Sequence, residues 1–223
     1  MRQVASDTIR VLIIDDHPIL RRGLTLIINQ EKDMEVCGEA EDGPSAMRAI
    51  KDEAPDIVLL DIALRKTNGL DLIGRIHKRR PKIPILIFSR HPENVYAERV
   101  IRAGARGYIM QQQSTELLME AIRKMILGEI FISEDIAGSI LKRQFNRAQQ
   151  RKYNQIEILS NRELEVFRMI GEGFQPRQVA EHLHLSVKTI ETYRANIKRK
   201  LNLETAGALT QFAVRWVQSE TEM

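Results

Sequence analysis

The chain has 223 residues, 43% of them hydrophobic and 29% charged, which fits one or two globular domains and excludes a disordered or fibrous chain. The formal net charge of +4 is too small to name a partner by itself. Cys37 is the only cysteine, so an internal disulfide and a thiol-rich metal site are both excluded, and a small buried hydrophobe is the expected reading.

Residues 1–8 carry no apolar core of signal-peptide length, and no apolar run reaches the roughly 20 residues needed to cross a bilayer. A cytoplasmic protein with no membrane partner is expected. Over the first 130 residues, short apolar runs (9–14, 34–36, 57–60, 83–88 and 107–110) alternate with segments of helical spacing. Leu20, Leu24, Ile27 and Ile28 mark one such helix, and Leu117, Leu118, Ala121, Ile122 and Met125 mark another. Five strands alternating with five helices require βαβ crossovers, hence a parallel sheet with helices on both faces. Runs 57–60 and 83–88 are almost wholly apolar without alternation, as in central strands buried on both sides.

The pattern changes after residue 132. Residues 137–152 are polar and basic, with Lys142, Arg143, Arg147, Arg151 and Lys152, and read as a helical or partly disordered linker. From residue 158 onward only helical spacing remains. Ser160-Asn161-Arg162-Glu163 fits a capping box that opens a helix with Leu164, Phe167, Met169 and Ile170 inward, and Gly171 and Gly173 end it. Pro176 suits the start of the next helix. The expected domains are 1–130, a linker over 131–156, and a helical domain over 157–223.

Asp15 and Asp16 follow the first strand, Asp61 the third, Ser89 the fourth and Gln111 the fifth. In open α/β sheets, sites form just beyond the carboxyl ends of the strands, so these residues share one crevice. Three converging carboxylates repel one another. A divalent cation relieves that repulsion, and oxygen-only ligands suit magnesium. A metal beside a carboxylate also offsets the charge of an incoming phosphoryl group and makes the carboxylate a usable nucleophile. The plainer alternative, that the acids are solvated or cap the next helix, explains a single Asp better than it explains this set.

The segments Val11-Leu12-Ile13-Ile14-Asp15-Asp16-His17-Pro18, Asp56-Ile57-Val58-Leu59-Leu60-Asp61, Asn68-Gly69-Leu70 and Gly104-Ala105-Arg106-Gly107-Tyr108 resemble a response-regulator receiver domain, and the whole chain resembles the NarL/FixJ family. The resemblance implies a flavodoxin-like doubly wound α/β receiver followed by a small all-α helix-turn-helix domain. It further implies Asp61 as phosphoacceptor, Asp15, Asp16 and Asp61 around Mg2+, Ser89 as switch hydroxyl and Tyr108 as the aromatic that repacks with it. A sensor histidine kinase would be the phosphoryl source.

One departure stands out: Gln111 occupies the place of the family's usual lysine. A charge-assisted hydrogen bond contributes roughly 1.5–3 kcal/mol, so its uncompensated loss would weaken switching roughly 10- to 100-fold. Arg90, Arg65 or Lys66 are the candidates to restore the charge, and Arg65 and Lys66 themselves stand where the family often has Pro-Gly. Three alternatives stay open: phosphorylation with a substituted cation, weakened phosphorylation, or regulation without phosphate.

In the helical domain, residues 176–183 form one short helix, His184-Leu185 a turn, and Ser186 an N-cap for a second helix to about Leu201. That is a helix-turn-helix, whose second helix lies in the major groove of DNA. Ile190, Ile197 and Leu201 form its inward stripe; Lys188, Glu191, Thr192, Ala195, Lys198 and Arg199 form its outward one. Between residues 188 and 200 there are five cations, Lys188, Arg194, Lys198, Arg199 and Lys200, against Glu191 alone, the footprint of phosphate contact.

The runs Leu159-Ser160-Asn161-Arg162-Glu163-Leu164-Glu165-Val166, Val179-Ala180-Glu181-His182-Leu183 and Ser186-Val187-Lys188-Thr189-Ile190-Glu191-Thr192-Tyr193-Arg194 resemble the LuxR-type helix-turn-helix. By this resemblance Glu191, Thr192 and Ala195 face bases, while Lys188, Thr189, Arg194, Lys198 and Arg199 complete the DNA-binding set, the cations holding phosphates. The last helix, about 206–217, presents Leu209, Phe212, Ala213 and Trp216 to the core, and the family adds a dimer interface on it.

The five histidines, His17, His77, His91, His182 and His184, show no metal-ligand spacing. A magnesium-dependent phosphatase or transferase using Asp61 is the competing class. It would need a general acid two residues on, where Ala63 stands, and no glycine-rich nucleotide loop is present. The expected function is therefore a DNA-binding transcription regulator and not an enzyme, binding double-stranded DNA as a homodimer.

Overall fold

The computed structural model describes residues 8–64, 67–138 and 155–221. Arg65, Lys66 and most of the expected basic linker, with its five cations, lie outside these residues. The chain divides into two compact units, residues 1–141 and 142–223.

The first unit is a five-stranded parallel sheet in the order β2-β1-β3-β4-β5. Its strands are β1 (Ile9–Ile14), β2 (Met34–Ala40), β3 (Ile57–Leu60), β4 (Ile85–Ser89) and β5 (Gly107–Met110). They alternate with α1 (Pro18–Ile28), α2 (Gly43–Glu53), α3 (Gly69–Arg79), α4 (Glu93–Ala103) and α5 (Thr115–Ile126). Strand side chains point alternately to the two faces. Val11, Ile13, Ile57, Leu59, Leu86, Phe88 and Ile109 pack with Leu24 and Ile28 of α1 and with Leu118, Ile122 and Met125 of α5. The alternate residues Leu12, Ile14, Val58, Leu60, Ile85 and Ile87 are equally buried. They face the layer supplied by Ile50 of α2, Leu72 and Ile76 of α3, and Val100 of α4. This two-sided burial explains why strands β3 and β4 read as unbroken apolar runs.

The β2 strand is longer than its apolar run, because as an edge strand it continues beyond Val36 through the half-buried Cys37 and Gly38 and the exposed Glu39 to the buried Ala40. Its register against β1 slips at Cys37: Val11 faces Val36 while Leu12 faces Gly38. Cys37 thus sits at a bulge. It is half-buried and not fully buried as expected, with Sγ 3.5 Å from the Val11 carbonyl, and burial raises its thiol pKa.

Two glycines set the strand-end loops. A Cβ on Gly69 would lie 2.5 Å from the Ile62 backbone, so only glycine lets α3 begin against the loop after Asp61. Gly104, at φ +114°, closes α4 in the left-handed region and turns the chain into β5. Beyond α5, Phe131 adds to the β5 edge: Tyr108 N donates to its carbonyl at 2.8 Å, and Phe131 N donates to Arg106 O at 2.9 Å.

The second unit holds α6 (Asn161–Gly171), α7 (Pro176–Leu183), α8 (Val187–Leu201) and α9 (Ala206–Thr221), preceded by a 3-10 turn at Gln155–Ile158. Helix α9 extends past the expected end near residue 217. The capping box at the start of α6 is present: Ser160 N donates to Glu163 Oε2 at 2.7 Å, and Glu163 N donates to Ser160 Oγ at 3.3 Å. Leu164, Phe167, Met169 and Ile170 are buried, as are Ile190, Ile197 and Leu201 of α8 and Leu209 and Ala213 of α9. The Phe167 ring meets that of Phe212 edge-on (centroids 5.7 Å apart) and that of Trp216 at a tilt (5.3 Å). Among the described residues, no helix is long and apolar enough to cross a membrane.

Candidate functional site

Asp15 directly follows β1, Asp61 directly follows β3 and Ser89 is the last residue of β4, and the parallel order 1-3-4 sets these ends side by side. Asp15 and Asp61 are each only 2% exposed and Ser89 is fully buried. Asp61 Oδ1 accepts from Ser89 Oγ at 2.8 Å and from Ala63 N at 3.1 Å. Its other oxygen, Oδ2, is buried with no hydrogen-bond partner. A buried carboxylate oxygen left unpaired costs free energy. Burial, and next the charge of Asp15, push the Asp61 carboxyl up to about 6, against the Ala63 N–H, the Ser89 hydroxyl and the Arg90 charge.

Asp15 Oδ1 accepts from the backbone N of His17 at 2.7 Å and lies 3.1 Å from its Nδ1. Burial raises the Asp15 carboxyl, and these His17 bonds oppose that shift. Asp16 Oδ1 lies 3.0 Å from the same Nδ1. His17 therefore stands inside the acidic site, although the spacing of the histidines along the chain did not single it out. Ligand atoms of Asp15, His17 and Asp61 lie within 4.8 Å of one another. The signal in the sequence was adjacency: in Asp15-Asp16-His17 the imidazole follows the acids at the strand end. Arg21 was also missed; its Nη1 donates to the Asp15 carbonyl at 2.6 Å, and its Nε to Glu39 at 3.2 Å. The carboxylate set and the orphaned Asp61 oxygen fit a hard divalent cation.

Tyr108 is buried next to this site, and its hydroxyl donates to the His91 carbonyl at 2.8 Å. Gln111 does not reach toward Asp61 with a hydrogen bond. Its Nε2 donates to Phe88 O at 3.2 Å and its backbone N to Ser89 O at 2.9 Å.

In the second unit, His184 at φ +53° makes the tight turn between α7 and α8, a left-handed conformation that side-chain-bearing residues rarely adopt. Ser186 caps α8 by accepting from Thr189 N at 3.0 Å, and the Thr189 hydroxyl joins that cap at 2.8 Å. Lys188, Glu191, Thr192, Ala195 and Arg199 are exposed, and Lys198 is half-buried. The Thr192 hydroxyl is committed to the Lys188 carbonyl at 3.0 Å. Arg194, its side chain only 18% exposed, is held 3.2 Å from Glu191. Lys200 is not part of the outward set: its amine bonds Glu163 at 2.6 Å and ties α8 to the α6 cap.

Residues 11–123 match the response regulator receiver domain, and residues 157–213 match the bacterial regulatory proteins of the luxR family. The chain is a response regulator of the NarL/FixJ family. It is 32% identical over 211 residues to the oxygen regulatory protein NreC of Staphylococcus epidermidis, covering 92% of this chain and 97% of that one. It is 29% identical over 231 residues to the transcriptional regulatory protein DegU of Brevibacillus brevis, covering 97% and 98%. The solved structure of RcsB from Salmonella enterica serovar Typhimurium, bound to promoter rprA in the presence of a phosphomimetic, shares the fold. It matches with a TM-score of 0.62 and 23% identity, over 93% of this chain and 98% of that one. This response regulator is accordingly a two-component, DNA-binding transcription regulator and not an enzyme. Its receiver holds the buried acidic cluster typical of a Mg2+ site.

The Asp61 carboxyl has an ordinary value of 3.8 and sits near 6 in the fold. Between those values the folded state holds a proton that the unfolded state releases, so stability falls as pH rises through this window. Without divalent cations, Asp61→Asn should raise stability by up to about 3 kcal/mol near neutral pH, and the gap should close toward pH ~4. Urea unfolding of the two proteins across this range checks it; a gap independent of pH would mean that the carboxylate charge is not its cause.

Proposed function

We propose that this response regulator is switched by phosphorylation of Asp61 and, once switched, binds paired DNA half-sites as a homodimer. The observation that carries this reading is the state of the Asp61 carboxylate: one oxygen is fixed by Ser89 and Ala63, the other is buried and unpaired. That second oxygen is the nucleophile. It attacks the phosphorus of a donor, the bond from phosphorus to the donor's leaving group breaks, and an acyl phosphate forms on Asp61. A sensor histidine kinase is the donor. Asp15, Asp16 and Asp61 would hold Mg2+, which when bound offsets the charge of the pocket and of the incoming group.

Phosphorylation changes what Ser89 can bond. Its hydroxyl now donates to Asp61 Oδ1; with a phosphoryl group there, it donates to a phosphoryl oxygen. Tyr108 then repacks, and its backbone N makes one of the two bonds that hold Phe131 on the sheet edge. Two residues further on, Ser133 N donates to Glu93 Oε1 at the start of α4 at 2.9 Å. The chain leaving the receiver is thus tied to the two elements next to the switch. Residues 1–130 serve as receiver, 131–156 as linker and 157–223 as DNA-binding domain.

On α8, Lys188, Arg194, Lys198 and Arg199 hold DNA phosphates, with Thr189 at the helix start, while Glu191, Thr192 and Ala195 face bases. With its hydroxyl bonded back to the helix, Thr192 presents a methyl group, suited to a thymine methyl. On α9, Leu209 and Ala213 are buried, whereas Thr210, Gln211, Val214 and Arg215 line a shallow groove of about 370 Å3, the surface assigned to the dimer. Acting on promoters places the protein in the cytoplasm.

A second reading, regulation without phosphate, is favoured by the bond that turns the Gln111 amide to Phe88. Incubation with Mg2+ and a small phosphodonor separates the two. The first reading expects an intact-mass adduct of one phosphoryl group that is absent in Asp61→Asn. A chain that binds DNA but takes up no phosphoryl group favours the second.

The DNA face is tested by two substitutions. Lys198→Ala should weaken binding to all sequences and reduce the salt slope by about 0.9. Thr192→Ala should change base preference at one position by roughly 1 kcal/mol or more. Unchanged preference in a selection from random duplexes would remove Thr192 from the base-facing set.

A further inference from the structure

The pairing of β4 with β5 puts Ser89 opposite Met110. The next residues, Arg90 and Gln111, therefore leave the sheet as neighbours, and Gln111 N still donates to the Ser89 carbonyl. Both line one groove of about 510 Å3 together with His17 and Phe88. Their side chains have different commitments. The Gln111 amide is bonded to Phe88 O. Arg90 is exposed and, among the described residues, bonds to no carboxylate, so its guanidinium is available to an anion at these strand ends. Its charge already acts on the Asp61 carboxyl, opposing the larger effects of burial and of Asp15.

We infer that Arg90 supplies the positive charge that position 111 lacks, its guanidinium pairing with the phosphoryl oxygens carried by Asp61. The inference rests on Asp61 being the phosphoacceptor. A lysine at 111 would approach from the end of β5; Arg90 approaches from one strand over, with a planar fork that matches phosphate oxygens two at a time. The same fork explains how Gln111 is tolerated: it can stay on the β4 backbone, because the charge comes from its neighbour. Arg90 takes no proton and forms no covalent bond. It is a binding residue for the phosphoryl group, acting on the rate of uptake and on the life of the acyl phosphate.

The test uses the full chain with Mg2+ and phosphoramidate, following the phosphoryl adduct by intact mass during uptake and after donor removal. Arg90→Ala should slow uptake roughly tenfold while leaving thermal unfolding unchanged. Arg90→Lys should keep most of the rate. The decisive variant is Arg90→Ala with Gln111→Lys, which should return uptake to within about twofold of the starting protein. A surface arginine with only a structural role would not be rescued by a lysine on another strand. Gln111→Lys alone should gain little, since the charge is already present. The inference fails if Arg90→Ala takes up phosphoryl at the original rate, or if the second substitution does not rescue it. It also fails if Gln111→Lys gains as much with Arg90 present as without it. If the unmodified chain takes up no phosphoryl group at all, the acceptor reading itself has failed and this inference with it.

Discussion

The receiver depends on a carboxylate that is buried before anything pays back its charge. Asp61 sits at the end of a strand enclosed on both faces, with Asp15 beside it and one oxygen unpaired. Taking an ionised carboxylate out of water is unfavourable unless it is paired and hydrogen-bonded. The Ser89 hydroxyl and the Ala63 N–H meet half of that need, through one oxygen only. The other half is the site's chemical capacity: it answers to a cation, a proton or a phosphoryl group. The surrounding features, His17 against the two acids and Arg21 on the Asp15 carbonyl, are polar contacts that fix the acids around this same constraint.

The DNA-binding unit solves a different problem, that of presenting a cationic helix without losing its seat. Helix α8 buries only Ile190, Ile197 and Leu201, a narrow stripe for a helix of 15 residues. Polar bonds supplement it. Lys200 reaches the buried Glu163, so a single carboxylate caps α6 and anchors the end of α8. Two of the five cations counted along the helix are also paired within the unit: Lys200 with Glu163, and Arg194 with Glu191 at the helix surface. The charge left unpaired along the helix is smaller than composition suggests, and the neutral Thr192 and Ala195 lie exposed between the cations.

Much of this was legible in the residues. Unbroken apolar runs marked β3 and β4 because both faces of a central parallel strand are buried, and the capping residues Ser160 and Ser186 marked helix starts because their hydroxyls answer orphan backbone donors. Edge strand β2 was underestimated, since its half-exposed residues break the apolar run, and α9 runs on through polar residues that carry no stop signal. In the acidic site, order along the chain placed Asp15, Asp61 and Ser89 at one end of the sheet. It did not place His17, whose ring turns back on its own neighbours, nor could it say that the Gln111 amide bonds to Phe88 rather than facing Asp61. Those are rotamer choices, set by local packing and not by periodicity.

The most direct measurement joins the two units: affinity for a duplex selected from a random pool, by fluorescence anisotropy at fixed salt with Mg2+, before and after exposure to a phosphodonor. If Asp61 governs DNA binding, the donor should tighten binding by roughly tenfold in the native chain and leave Asp61→Asn unchanged. Equal affinity with and without the donor, in a chain shown to carry the phosphoryl group, would contradict control of DNA binding through this site.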